Sequence, residues 1–303
     1  MRITIQAGVE DDNTNDRMIL CCAISASSSV VCVAFACSGT LKLFDVASGE
    51  HRLTLEGCGC GVYYCCAFSP DGTTIIMVVC ASDDSTLNMW NAVSGAVIRT
   101  LRGHTSTVYC CVFSPDGRSV CSASGDHSLK LWNAATGMRR RTLQGHAYTV
   151  RCCAYSADGA MVISGSDDET LKLWSPATGA CIRTFTGHVG SVSACCFSPA
   201  DGNIILSGSD DKTLKLWDAT TGLCRRTLNG HFNEVYGCTF SLIHGNLMLS
   251  SCDSAIKLWD VAIGHCTAML EGHDGILITC YAISGTTIAS GDASGVLMLW
   301  RRR

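Results

Sequence analysis

The sequence predicts an all-β fold assembled from one repeated four-stranded unit, and three observations carry that expectation. Gly-His recurs at 103–104, 145–146, 187–188, 230–231 and 272–273, with spacings of 42, 42, 43 and 42 residues. An aromatic residue closing a Leu-Lys-Leu-like run recurs at Phe44, Trp90, Trp132, Trp174, Trp217, Trp259 and Trp300. No segment sustains a 3.6-residue apolar period, whereas short apolar runs alternate with Gly, Pro, Asp and Ser turns. Four short antiparallel strands per fixed period of about 42 residues make one propeller blade. Seven such copies run end to end, so residues 1–303 read as a single propeller domain without a linker.

The third copy shows the order of elements. Val108 to Phe113 is a strand, Ser114-Pro115-Asp116-Gly117 a tight turn, and Ser119 to Ser124 a second strand. A turn at Gly125-Asp126 leads to a third strand, Leu129 to Trp132. Ala135-Thr136-Gly137 then turns into a fourth, Arg139 to Leu143. After Trp300 only Arg301-Arg302-Arg303 remain, so the seventh copy lacks its fourth strand. Thr4-Ile5-Gln6 followed by Gly8 echoes Thr142-Leu143-Gln144-Gly145. The N-terminal strand is therefore expected to complete the last blade and close the ring, hiding two sheet edges.

Composition narrows the function classes. The net charge is −4 and 16% of residues are charged, which argues against a strongly nucleic-acid-seeking chain. The N-terminus, Met1 to Asp12, lacks the apolar run of a secretory signal, so an intracellular, cytoplasmic protein with reduced thiols is expected. Cytoskeletal and nuclear placements are the alternatives. Met18 to Leu41 carries no charge over 24 residues, a length that could span a bilayer. Ser25, Ser27, Ser28, Ser29, Ser38, Gly39 and Thr40 interrupt it, and two strands joined at the serine cluster fit better than a membrane helix.

The Gly-His pairs, the Ser-Pro-Asp-Gly turns, the run Ser207 to Asp218 and the Thr-Gly turns recur in order, and together they resemble the WD40 repeat family along the whole chain. Trp-Asp itself stands only at Trp217-Asp218 and Trp259-Asp260. The resemblance implies a seven-bladed WD40 β-propeller around a central channel. It also implies a non-catalytic platform for protein–protein interaction, a scaffold or adaptor in a multiprotein assembly. Cytoskeletal, ciliary, chromatin and RNA-processing assemblies are examples. Alternatives are a substrate receptor of a ubiquitin ligase, whose Trp-Asp-x-Arg motif is absent here, and RNA or anionic-surface binding.

His104, Ser122 and Asp126 are the ingredients of a nucleophilic triad. The set recurs as His146/Ser164/Asp168, His188/Ser207/Asp211 and His231/Ser250/Asp253. One copy per blade does not suit an enzyme, which needs one activated serine in a pocket. By the resemblance these residues join Trp132, Trp174, Trp217 and Trp259 in a buried structural network. The first copy lacks the set, with Val9, Ala34, Ser38 and Phe44. The second has Cys58 and Cys80 for His and Ser, and the seventh has His273 and Ser290 with Ser294 at the Asp position. The contiguous blades 7, 1 and 2 are thus expected to be the least rigid. No catalytic residue, metal site or cofactor is expected.

The 22 cysteines form doublets at 21–22, 65–66, 110–111, 152–153 and 195–196. Adjacent strand residues face opposite ways, so one doublet cannot serve one metal, and Cys-x-x-Cys is absent. They read as small apolar packing residues, with Cys58/Cys60 in a Gly-rich loop as the one candidate for oxidation or metal binding. Candidate partner-binding residues are Tyr63, Tyr109, Tyr148, Arg151, Phe232 and Tyr236, at or near the start of first strands within blades 2 to 6, where the channel mouth is expected. A basic arc, Arg99, Arg140, Arg141, Arg183, Arg225 and Arg226, lies on the fourth strands, with a solvated rim as its plainer reading.

Overall fold

Apolar runs bounded by turn residues become strands from one end of the chain to the other. The computed structural model describes residues 2–6, 18–27, 29–36, 40–56, 62–70, 77–199, 202–241, 247–252, 255–273, 276, 278–284 and 286–301. The strands among them assemble into seven four-stranded antiparallel sheets. The chain opens with β1 (Arg2–Gln6). Sheet 1 follows as β2 (Ile19–Ile24), β3 (Val30–Phe35), β4 (Thr40–Asp45) and β5 (His51–Glu56). Sheet 2 is β6 (Tyr63–Phe68), β7 (Met77–Ser82), β8 (Thr86–Asn91) and β9 (Val97–Arg102). Sheet 3 is β10 (Val108–Phe113), β11 (Ser119–Ser124), β12 (Ser128–Asn133) and β13 (Arg139–Gln144).

Sheet 4 is β14 (Val150–Tyr155), β15 (Val162–Ser166), β16 (Leu171–Trp174) and β17 (Cys181–Phe185). Sheet 5 is β18 (Val192–Phe197), β19 (Ile204–Ser209), β20 (Leu214–Asp218) and β21 (Cys224–Leu228). Sheet 6 is β22 (Gly237–Phe240), β23 (Leu247–Cys252), β24 (Ala255–Asp260) and β25 (Cys266–Glu271). Sheet 7 combines β26 (Ile278–Ser284), β27 (Thr287–Asp292) and β28 (Val296–Arg301) with β1.

The first strands β2, β6, β10, β14, β18 and β22 pack side by side in chain order, and β26 meets β23 and β2 to complete the circle. At that junction Thr279 Oγ1 donates to the Ile19 carbonyl, and Ser284 Oγ to that of Ser25 at 3.0 Å. The N-terminal strand pairs with the last strand in the register Arg2↔Trp300 to Gln6↔Val296. Serines fold the uncharged N-terminal stretch into a hairpin. Ser25 Oγ accepts from the Val30 amide at 3.1 Å, joining β2 to β3. No helix among the described residues is long and apolar enough to cross a membrane.

The expectation of seven equivalent copies needs correction. Six sheets are made of four consecutive strands, and the remaining one is a composite of both chain ends. The unit β1–β4 also lacks the chemistry of the others: Phe44 replaces tryptophan, and the register puts buried Val33, not Ala34, at the serine position. The calls on Val9, Ser38, Asp253 and the Cys58/Cys60 loop, and on the Cys80 side chain, lie outside the described residues.

The core lies between sheets. Leu129, Leu131 and Leu143 of sheet 3 pack with Val150, Val162 and Trp174 of sheet 4. The same pairing recurs at the next boundary, where Leu171, Leu173 and Phe185 meet Val192, Ile205 and Trp217. Burying each such aliphatic side chain contributes ~1.5–3 kcal/mol. Each sheet is therefore stabilised by its neighbour, and closure stabilises them all.

Candidate interaction site

One position in the first strands is turned toward the channel by a recurrent irregularity. The β10–β11 register shifts between Val108 and Cys110, and β2, β6, β14, β18 and β26 shift at the matching place. A β-bulge leaves its extra residue out of the ladder and re-aims its side chain. The residues so placed are Leu20, Tyr64, Tyr109, Arg151, Ser193 and Thr279, with Tyr236 at the same place in sheet 6. All seven line a central cavity of about 420 Å³.

Three of these side chains meet at the mouth. The rings of Tyr64 and Tyr109 lie 5.3 Å apart, and the Arg151 guanidinium sits 5.0 Å from the Tyr109 centroid. Arg151 Nε donates to Asp167 Oδ1 at 2.8 Å. Burial raises the Asp210 carboxyl above its ordinary range, Arg151 opposes that shift, and Glu234 and Asp167 reinforce it. The mouth thus combines an aromatic row with a cluster of carboxylates around one arginine. Ser193 and Thr279 instead bond across the sheet boundaries, to the carbonyls of Val235 and Ile19. The loops entering sheets 4, 5 and 6 expose Tyr148 (61%), Val189 (79%) and Phe232 (81%).

Tyr63 is a correction. It is 2% exposed, packs edge-on against Trp90 at 5.7 Å and accepts from Asn88 Nδ2 at 3.4 Å. Its partner across the sheet is Ser82, as Ser124 is of Val108, so Tyr63 fills the buried valine position and Tyr64 the mouth. Val62 precedes the strand and made the register read one residue early.

The Ser, His and Asp residues form closed networks. In sheet 3, Trp132 Nε1 donates to Ser122 Oγ at 2.8 Å, Ser122 Oγ lies 2.7 Å from His104 Nε2, and His104 Nδ1 lies 2.7 Å from Asp126 Oδ2. The Asp126 carboxylate can only accept, so Nδ1–H donates to it, and in a neutral ring Nε2 then accepts the Ser122 proton. Burial holds the His104 imidazole below its usual range despite the Asp126 charge, so the ring is neutral as that polarity requires. Burial opposes Asp126 ionisation, but hydrogen bonds from His104 and Ser128 outweigh it and hold the carboxyl well below the usual range.

Ser164/His146/Asp168/Trp174 and Ser207/His188/Asp211/Trp217 repeat this geometry. The preceding glycine belongs to it: Gly103 has φ +151°, and a Cβ there would stand 3.2 Å from the Trp132 indole. The serines are fully buried, so these groups offer no open nucleophile.

Two networks differ from expectation. In sheet 7 the partner of His273 Nδ1 is Asp292 at 2.6 Å, whereas Ser294 donates to that same carboxylate at 2.7 Å. Asp292 follows Ser290 by two residues and reaches the histidine from the strand end, so sheet 7 has a complete network with Trp300. In sheet 6, Cys252 occupies the corresponding place against His231 Nδ1, while Ser250 bonds His231 and Trp259 as in the other sheets.

The arginine arc is mostly internal stitching. The stems of Arg99, Arg141, Arg183 and Arg226 lie over Gly137, Gly179, Gly222 and Gly264 in the turn of the next sheet. Arg183 Nη1 donates to the Thr221 carbonyl at 3.0 Å. Arg140 Nη1 donates to Ser119 Oγ, and Arg225 pairs with Asp218. Their glycines need positive φ, +74° at Gly137, which is why Thr-Gly recurs opposite them.

Among the described residues no group of three or more His, Cys, Asp or Glu side chains is placed to hold a metal ion. The model of the WD domain, G-beta repeat, matches residues 49–91, 95–133, 137–175, 179–218, 222–260 and 264–301. Each matched unit comprises the outermost strand of one sheet and the three inner strands of the next. The expected count of seven family repeats is therefore corrected to six, the unmatched unit being β1–β4. A search of curated proteins finds no match to the chain.

Proposed function

Because the chain belongs to the WD40 family, through six copies of its WD domain, G-beta repeat, we propose that it is a protein-interaction platform whose working surface is the channel mouth. The observation that carries this reading is the bulged ring position, which presents Tyr64, Tyr109, Arg151 and Tyr236 together. Tyr and Arg are the side chains most often enriched at binding hot spots. Loops held by neighbouring sheets are preordered, which lowers the entropic cost of docking.

The chemistry of the mouth suits a segment of another protein that brings an apolar anchor and a basic flank. Tyr148, Val189 and Phe232 offer apolar contact, and Asp167, Asp210 and Glu234 offer negative charge. The role is that of a non-catalytic scaffold or adaptor. An anion-binding role through the rim fits less well, because its arginines are engaged with the next sheet's turns and with Asp218.

Affinity purification with mass spectrometry tests the proposal by comparing wild type with Tyr109→Ala/Arg151→Ala and with Arg140→Ala/Arg225→Ala. Partners lost only in the first variant support the mouth. Partners lost only in the second overturn it in favour of the rim.

A further inference from the structure

Beneath the mouth, cysteines of adjacent sheets face each other. Consecutive residues on a first strand point toward opposite neighbours, so each doublet sends one thiol to either side. Cys65 of sheet 2 thereby meets Cys111 of sheet 3, its Sγ 3.4 Å from the Cys111 amide. Cys110 of sheet 3 meets Cys153 of sheet 4 with sulfurs 3.8 Å apart. Cys152 of sheet 4 meets Cys195 of sheet 5 at 3.3 Å. Packing alone does not require sulfur against sulfur, since Ala194 stands at the place equivalent to Cys152 one sheet further on.

We propose that Cys152 and Cys195 are a peroxide-sensitive thiol pair that closes to a disulfide between sheets 4 and 5. The sulfurs are already in contact, and bond formation at about 2.05 Å needs a shift of about 1 Å. Both side chains line the central cavity, at 7% and 8% exposure, so a small hydroperoxide reaches them from the channel.

The chemistry balances with the hydroperoxide as oxidant. The Cys152 thiolate attacks the nearer peroxide oxygen, the S–O bond forms and the O–O bond breaks. The alkoxide or hydroxide takes a proton and departs as alcohol or water. Cys195 then attacks the sulfenyl sulfur, the S–S bond forms, and the hydroxyl leaves as water with the Cys195 proton. Two thiols lose two electrons and one hydroperoxide gains them. Burial and the neighbouring Cys152 push the Cys195 thiol up, which keeps it protonated as the resolving partner. The new bond would fasten β14 to β18 directly below Arg151.

Cys181, Cys224 and Cys266 are the internal comparison, being exposed on the outermost strands. The folded wild-type chain is treated with hydrogen peroxide, alkylated, and mapped by peptide mass spectrometry with and without reductant. The result expected is a reducible Cys152–Cys195 peptide pair and the loss of those two thiols from alkylation. In Cys195→Ser the same treatment should leave Cys152 as a sulfenic acid that dimedone traps. The proposal is overturned if both cysteines remain alkylatable while Cys181, Cys224 and Cys266 are oxidised, or if the cross-links join other cysteines only. The wild-type map decides the question even where the variant fails to fold.

Discussion

Arg151 of sheet 4 covers the ring of Tyr109 of sheet 3, its guanidinium carbon 5.0 Å from the ring centroid. Asp167 fixes the other side of the guanidinium at 2.8 Å. The contact crosses a sheet boundary, so the mouth is shaped by the ring rather than by one loop. Arg151→Lys keeps the charge and loses the planar stack and its fixed fork. Partner affinity should fall in Arg151→Lys and fall further, about tenfold, in Arg151→Ala. Titration calorimetry with an identified partner checks this order.

Tyr63 and Tyr64 separate stability from binding. Tyr63→Ala empties a buried site against Trp90 and should cost ~3–5 kcal/mol. Tyr64→Ala removes a side chain from the mouth, with stability changed by less than about 0.5 kcal/mol. Denaturant unfolding of the two variants gives the comparison.

Ser207 is the centre of its network, bonded to both Trp217 and His188. Ser207→Ala leaves two buried polar groups without their partner and should destabilise the protein by ~1–3 kcal/mol. The same substitution at Ser122 should behave alike, since the geometry is the same. A single unaffected midpoint in urea would count against the network's role.

Acid should unfold the protein in two stages. His104 and His188 are held neutral, below their usual range, mainly by burial. In the unfolded chain they take protons from about pH 6.5 downward, so the folded state loses stability as pH falls from there. Asp126, Asp168 and Asp211 are partly buried and Asp292 is buried, yet their hydrogen bonds hold them below the usual carboxylate range. Their contribution is present above about pH 4 and is lost as pH falls through the lower folded values. Melting temperature measured from pH 7 to pH 3 should decline first gently and then steeply.

Removing β1 exposes the edge of β28. Deletion of residues 1–8 should lower the melting temperature and promote self-association through the unpaired strand. Size-exclusion chromatography with a thermal melt reads both. A monomer of unchanged stability would contradict closure by Arg2–Gln6.

Amide exchange should be fastest in sheets 1 and 2. Phe44 has no indole N–H to join a network, and Trp90 Nε1 donates instead to the Glu56 carbonyl at 3.2 Å. Sheet 7, with Asp292 completing its network, should be slower than those two and approach sheets 3–5.

Strand boundaries were legible because the turn chemistry repeats at a fixed period, and β10 and β11 fall where their apolar runs do. What escaped was local register and contacts between sheets. Tyr63 was read one residue early, and such a slip moves a side chain to the other face. Asp292 was missed because it reaches His273 from a different sequence distance than Asp126 reaches His104. Cys152 and Cys195 are 43 residues apart, and strand alternation places them on different sheets without saying that those sheets bring them together. The arginines read as a charged surface because a linear pattern does not show the next sheet's glycine turn beneath them.

The most direct measurement of the mouth as the working surface is site-specific photocross-linking. A photoreactive aromatic residue is placed at Tyr109, and in a second protein at the outer-strand position Cys224, which is exposed on β21. Cross-linking to a protein partner from Tyr109, competed by the unlabelled wild type and absent from Cys224, is the predicted result. Cross-linking from Cys224 alone would contradict the account and place the working surface on the outer strands.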